Sequence, residues 1–229
     1  MFGLGKPHRP KAVAFDMVGT LMDLEPLRST IVALGLAPAG LEGWIAAGLR
    51  DAFALTATGT YAPFEAVLEG ALEQVLFEQR LDPPASEKAE LLAGLTTLPA
   101  REGASVALSL LKEQGIKLIA FTNSSATAAR AQLKSGHLDA FMSEIVSTGE
   151  EEAFKPSRSV YLRCAEQAEV DPGELMLVAA HPWDIHGAAE AGLSTAYLSS
   201  QRPMTPVMHQ PQLEAADLRD LAEQICQLS

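Results

Sequence analysis

Cysteine is scarce in this chain: 229 residues hold only Cys164 and Cys226. The two lie far apart in helix-like contexts, which excludes a disulfide framework and makes a reducing cytoplasm the default compartment. Both are expected to be buried packing residues. Positive charge is also short, with 17 Lys and Arg against 29 Asp and Glu and a net charge of −12. That balance argues against nucleic acid or an anionic membrane surface as the main partner. It also means that an anionic substrate needs positive charge supplied locally by its site. No segment approaches the roughly 20 apolar residues of a membrane-spanning helix. The first ten residues have neither the apolar stretch nor the small-residue cleavage site of a signal peptide. Internal repeats and low-complexity tracts are missing too. What is abundant is apolar side chain, 48% of the chain. This suffices for a core and suits one domain, or one domain carrying an insert.

Short apolar runs closed by turn residues mark buried strands. They cover Lys11 to Phe15, Ile116 to Phe121, Leu175 to Ala180 and Thr195 to Leu198, the last ending in a Ser/Pro-rich loop; Ile145-Val146 is a shorter apolar pair. Helical patterns lie between them, over Ala104 to Gln114, Ala126 to Lys134, Ser159 to Ala168 and Ile185 to Ala191, with Leu213 to Gln227 expected as a final amphipathic helix. Strands alternating with single helices imply an α/β fold, a Rossmann-like parallel sheet flanked by helices. Residues 24–99 break the rhythm. Leu27–Leu34, Leu41–Leu55, Phe64–Gln79 and Ser86–Leu95 are all helical in character. The expected organisation is a core of residues 1–23 and 100–229 with a helical cap, 24–99, inserted after the first strand. Apolar faces left exposed on the cap helices would support a homodimer.

Polar residues cluster where the strands end: Asp16, Thr122-Asn123, Lys155-Pro156 after Ile145-Val146, and His181 to Asp184. In a parallel sheet these ends converge on one side, where sites of such folds lie. An aspartate there, ionised at neutral pH, is a ready nucleophile, and a lysine and hydroxyl donors are its electrostatic support. His181 and His186 are five apart and lack a third ligand, so no zinc site is expected from them.

Together these residues resemble the haloacid dehalogenase superfamily. Asp16-Met17-Val18-Gly19-Thr20 looks like its first motif, with Asp16 as nucleophile and Thr20 beside it. Thr122-Asn123, Lys155-Pro156 and Asp184 match the second, third and fourth. The resemblance spans nearly the whole chain, and the helical insert matches the cap. Phosphatases of the superfamily carry a second aspartate where Val18 stands, and Gly-Asp where Ala179-Ala180 stand. Valine cannot donate a proton and alanine cannot ligate a hard cation. The pattern is closer to the L-2-haloacid dehalogenase branch, which works without metal. Val178 to Asp184 looks like its fourth motif, with Trp183 and Asp184 in register and His181 where several members have asparagine. Tyr161 matches a tyrosine of that branch, and Tyr61 to Phe64 a cap segment whose phenylalanine lines the pocket.

By this resemblance Asp16 displaces halide from a small halogenated carboxylic acid and forms an ester. Water oriented by Lys155, Asn123, His181 and Asp184 then hydrolyses it. Met17, Val18, Ile45, Phe64, Tyr161 and Trp183 are the expected substrate-binding residues. Two departures stand out. The branch usually has an aromatic at Val18 and a cap arginine at Ile45. Arg28 and Arg50 lie in the cap region and are the candidates to stand in for the latter. No cofactor is expected, magnesium entering only if the protein is instead a phosphatase with a degenerate metal site. A catalytically inactive protein of the same fold is the other alternative.

Overall fold

The computed structural model describes residues 8–199 and 203–229. Most of the first ten residues, on which the absence of a signal peptide is an expectation, and part of the loop after Leu198 lie outside them. A six-stranded parallel sheet runs in the order β3-β2-β1-β4-β5-β6, with β1 Ala12–Asp16, β2 Lys117–Thr122, β3 Glu144–Ser147, β4 Leu175–Ala179, β5 Ser194–Leu198 and β6 Leu213–Ala215. Every residue of β1, β4 and β5 is buried. This is why these strands are continuous apolar runs rather than alternating ones: the sheet is covered on both faces. Val13 and Phe15 pack to one side and Ala12 and Ala14 to the other, into two separate cores.

Between β1 and β2 come α1 Leu27–Ala33, α2 Gly40–Thr58, α3 Phe64–Glu78 and α4 Ala85–Gly94. Their inward residues, among them Ile31, Trp44, Leu68, Leu72 and Leu91, join the same core as Val13 and Phe15. Trp44 is wholly buried, and its indole N–H donates to the Leu68 carbonyl at 2.8 Å, locking α2 to α3. The exposed apolar residues here are few and separate, Phe77 on α3 and Val32 on α1. The remaining helices alternate with strands: α5 Ala104–Glu113, α6 Ala126–Ser135, α7 Arg158–Gln167, α8 Pro182–Ala191 and α9 Leu218–Cys226. No helix of the described residues is long and apolar enough to cross a membrane.

Two expectations are corrected. Leu213 to Gln227 is not one helix: Leu213–Ala215 adds β6 to the sheet edge through Ala196↔Leu213, and Asp217 then caps α9 by accepting the Asp220 N–H at 2.9 Å. Edge-strand pairing overrides the helical periodicity of the first three residues. Cys164 is buried as expected, with its thiol pushed up to about 12 by burial, but Cys226 is only partly buried.

The strand order reverses direction between β1 and β4, and the carboxyl ends of these two strands frame a crevice. Two glycines let the chain close around it. Gly19 has φ +85, and a side chain there would stand 3.1 Å from the His181 ring. Gly187 on α8 admits Tyr161 and Pro156 so closely that any Cβ would lie 2.6 Å from Pro156.

Candidate active site

Asp16 ends β1 with its carboxylate held from both sides. Oδ1 accepts from Lys155 Nζ at 2.8 Å; Oδ2 accepts from Thr20 Oγ1 at 2.6 Å and lies 3.0 Å from His181 Nδ1. Thr20 Oγ1 itself accepts the Ala180 N–H at 2.9 Å, which aims its proton at Asp16. The lysine ammonium also reaches Asp184 Oδ2 at 2.7 Å, and Tyr161 donates to the other oxygen of Asp184 at 2.6 Å. Lys155 and Asp184 are 1% and 0% exposed, so two carboxylates and one ammonium share a dry cluster. Buried ions persist only when paired in this way.

The three charges do not balance, and their proton affinities diverge. Burial alone pushes the Asp16 carboxyl up, but the Lys155 charge and the His181 hydrogen bond outweigh it and hold it well below the usual carboxylate range. For Asp184 burial wins over Lys155, and its proton affinity is raised. Burial pulls Lys155 down, yet the two carboxylates more than offset it, so it stays charged. Tyr161 is raised well above its ordinary value, first by burial and then by Asp184, and remains a phenol that donates.

Asn123, just past the end of β2, supports this cluster. Its Oδ1 accepts the Lys155 backbone N–H at 3.0 Å and the Thr148 hydroxyl at 3.3 Å, which fixes the amide orientation. Thr122 Oγ1 accepts the Ser124 N–H at 3.1 Å, tightening the turn into α6. His181 stacks on Trp183, ring centroids 5.4 Å apart, and Trp183 meets Phe53 of α2 edge-on at 5.3 Å.

Asp16 opens into a cavity of about 340 Å³ between the sheet and α2, α3 and α4. Val18, Ile45, Phe64, Thr122, Asn123, His181 and Trp183 line it with Asp16. Four hydrogen bonds tie its helical walls to the sheet side: Ser125 N–H and Oγ to Glu65 Oε1, both 2.9 Å, Phe154 N–H to Thr56 Oγ1 at 3.0 Å, and Gln132 Nε2 to the Leu95 carbonyl at 2.8 Å.

Residues 10–192 match the family model of the haloacid dehalogenase-like hydrolases. The chain belongs to that family. It is 25% identical over 220 residues to (S)-2-haloacid dehalogenase 4A of Burkholderia cepacia, covering 95% of this chain and 93% of that protein. To (S)-2-haloacid dehalogenase of Pseudomonas sp. (strain YL) it is 23% identical over 222 residues, covering 93% of each. The structure of L-2-haloacid dehalogenase from Xanthobacter autotrophicus with chloropropionic acid covalently bound shares the fold, with a TM-score of 0.89, 21% identity, and 96% of this chain and 100% of that chain covered.

Within this haloacid dehalogenase-like hydrolase, the expected site residues fall into two layers. Asp16, Thr20, Lys155, Asp184 and Tyr161 form the buried cluster, while Asn123, Thr122, His181, Trp183, Val18, Ile45 and Phe64 face the cavity. Met17 and Tyr161 do not line it. Met17 is wholly buried in the core because successive residues at the strand end point in opposite directions, and Tyr161 lies beneath Asp184.

Arg28 and Arg50 are not at the Asp16 cavity either. They line a neighbouring one of about 720 Å³ that shares Ile45, Leu49, His181 and Trp183 with it. Arg28 is held there by Glu25 at 2.7 Å and Glu42 at 2.6 Å, and Arg50 by Asp51 at 2.8 Å. Arg101, which the sequence pattern did not mark, donates to the Thr20 and Gly19 carbonyls at 2.8 and 2.6 Å and braces the loop after Asp16. Ser124 and Gln132 were also missed as cavity residues. His186 groups with Glu190 and His209 rather than with His181. Existing bonds account for that trio, His209 Nε2 meeting Glu190 at 2.6 Å and the His209 N–H meeting His186 Nδ1 at 3.3 Å.

Proposed function

We propose that this protein is a 2-haloacid dehalogenase that works through an ester on Asp16, and that residues 24–99 serve as its cap over a core of 1–23 and 100–229. The observation that carries the reading is the Asp16 carboxylate, kept ionised by Lys155 and facing an apolar cavity. Named relatives that act on 2-haloacids over almost the full length support it. An Asp16 oxygen attacks the carbon bearing the halogen. The C–O bond forms as the C–X bond breaks, and the halide leaves with the electron pair. Water, oriented by Lys155, Asn123, His181 and Asp184, then adds to the Asp16 carbonyl carbon. Asp184, whose proton affinity is raised, takes its proton. Lys155 stabilises the tetrahedral oxyanion, which collapses to free Asp16 and the hydroxy acid. The net change is R–X plus water giving R–OH, a proton and halide.

A magnesium ion does not fit this donor set. The oxygens that would hold it, on Asp16 and Asp184, are already bridged by the Lys155 ammonium at 2.8 and 2.7 Å, and Ala179-Ala180 offer no side-chain oxygen. No step is therefore routed through a metal, and the phosphatase alternative loses its central group.

The test is halide release from chloro- and bromo-substituted short acids, with aryl and alkyl phosphates plus magnesium as the opposing panel. Phosphate release without halide release would replace this reading by the phosphatase one. The two aspartates also predict a split pH dependence. Asp16 is lowered, so ester formation persists at pH values below the ordinary aspartate range near about 3.9. Asp184 is raised, so its capacity to accept a proton fails first as pH falls. In rapid-quench experiments near pH 4, a burst of one halide per enzyme should survive while steady turnover is lost. Burst and turnover failing together would contradict the assignment of Asp184.

A further inference from the structure

The Asp16 cavity offers a bound acid no cation. Its lining carries three carboxylates, Asp16, Glu65 and Glu69, and no Lys or Arg among the described residues. Lys155 is 1% exposed, with its ammonium already shared between Asp16 and Asp184. His181 Nδ1 lies 3.0 Å from Asp16 Oδ2. The arginines of the neighbouring cavity are committed as well: Arg28 to Glu25 and Glu42, Arg50 to Asp51, and Arg101 to the Thr20 and Gly19 carbonyls. A carboxylate brought up to this cluster, where two carboxylates face one ammonium, meets net negative charge. The surface compounds the effect, since a net charge of −12 slows the approach of an anion.

Displacement by Asp16 needs a carbon that bears halogen next to a carbonyl; it does not need a charge on the substrate. A primary amide keeps the carbonyl and loses the charge. The cavity complements such a molecule part by part. Val18, Ile45, Leu49, Leu68, Leu92 and Leu95 are apolar walls for its alkyl end. Asn123 lines the cavity too, and because its Oδ1 is taken by the Lys155 N–H and Thr148, its NH₂ is left to donate to the amide carbonyl. Glu65 and Glu69 are acceptors, which suits the N–H groups of an amide and repels a carboxylate.

Resting on the Asp16 ester reading above, we propose that this enzyme also dehalogenates the uncharged primary amides of 2-haloacids, and prefers them to the acids. Ile45 sets the preference: it stands in the wall shared by the two cavities, and an alkyl side chain there gives an anion nothing to bind. An Asp16 oxygen displaces halide from C2, and water hydrolyses the ester. The amide and water thus give the 2-hydroxyamide, a proton and halide. With each rate divided by that of the same compound with free acetate, kcat/KM is higher for the amide by about tenfold to a hundredfold, the size of a screened repulsion between unit charges.

The experiment measures halide release from 2-bromopropionamide and 2-bromopropionate in wild type, Ile45→Arg and Ile45→Lys, with melting curves checking the fold. Binding of the unreactive butyramide and butyrate is compared in parallel by ligand-observed NMR. In wild type the normalised rate should favour the amide, and butyramide should bind more tightly than butyrate. Added sodium sulfate should raise kcat/KM on the acid and leave that on the amide unchanged, because only the acid is repelled. Either cationic variant should move the ratio toward the acid by about tenfold or more. A normalised amide-to-acid ratio at or below one in wild type would overturn the proposal, as would a ratio that both variants, still folded, leave unchanged. Should neither variant fold, the wild-type ratio and its salt dependence decide. No halide from either compound would instead defeat the ester reading, while the choice between butyramide and butyrate would still judge the charge of the cavity.

Discussion

Replacing Asp16 with asparagine is expected to reduce turnover by about four to six orders of magnitude, the range seen when a nucleophile is removed from a preorganised site. The amide matches the carboxylate in shape. Its oxygen can still accept from Lys155, and its NH₂ would face Thr20 Oγ1 and His181. What is lost is the negative charge that attacks carbon. The site favours ionised Asp16, so the change also costs stability, but Asp184 keeps Lys155 paired and the protein remains folded. Melting curves therefore accompany the rate assay. The wild-type enzyme gives the complementary measurement. Turnover in oxygen-18 water should place label in the Asp16 carboxylate, because water attacks the acyl carbon rather than the alkyl carbon. Unlabelled Asp16 after many turnovers, or an Asp16→Asn enzyme within tenfold of wild type, would rule out the ester.

Much of this arrangement is legible in the sequence because its signals are local. β1, β2, β4 and β5 announce themselves as apolar runs, since strands buried on both faces need no polar alternation. Asp16, Asn123 and Asp184 are legible as polar residues at or soon after such runs, and Lys155 follows the shorter pair Ile145-Val146 of β3 at a distance; a parallel sheet must bring strand ends together. β6 was hidden because three residues ahead of an amphipathic helix extend its periodicity. The contrary signal was Asp217, an N-cap residue placed inside the expected helix.

Other features depend on contacts that no local pattern encodes. Arg101 braces Gly19 and Thr20 across a separation of some eighty residues. Arg28 looks available in sequence, yet Glu25 and Glu42 neutralise it, the second from a different helix. Gln132 did carry a trace of its role. It stands four residues after Ala128, on the inward face of an alanine-rich helix where an apolar residue would be expected. Met17 failed in the opposite direction: its neighbours made it a candidate for the pocket, but the pleat turns it into the core.

Substituting Lys155 with methionine should be the most disruptive single change to the fold and the site together. The methionine stem fills most of the same space, but Asp16 and Asp184 are left buried with no opposing charge. Breaking such a pair typically costs about 3–5 kcal/mol. Relief comes by protonation, since two neighbouring carboxylates do not both stay ionised in a dry site. The direction with pH follows from that. In the variant the folded-state proton affinity of the pair is raised above its unfolded value, so the protonated fold is favoured at low pH and that advantage is lost as pH rises through the raised value. Urea denaturation should therefore show a large deficit against wild type at pH 7 that narrows at pH 5. Activity should fall by at least about a thousandfold at pH 7, because an Asp16 that shares a proton is no longer a nucleophile and the oxyanion has lost its cation. A deficit equal at both pH values would mean that lost packing, not stranded charge, is the cause, and the electrostatic account of Asp16 would fall with it.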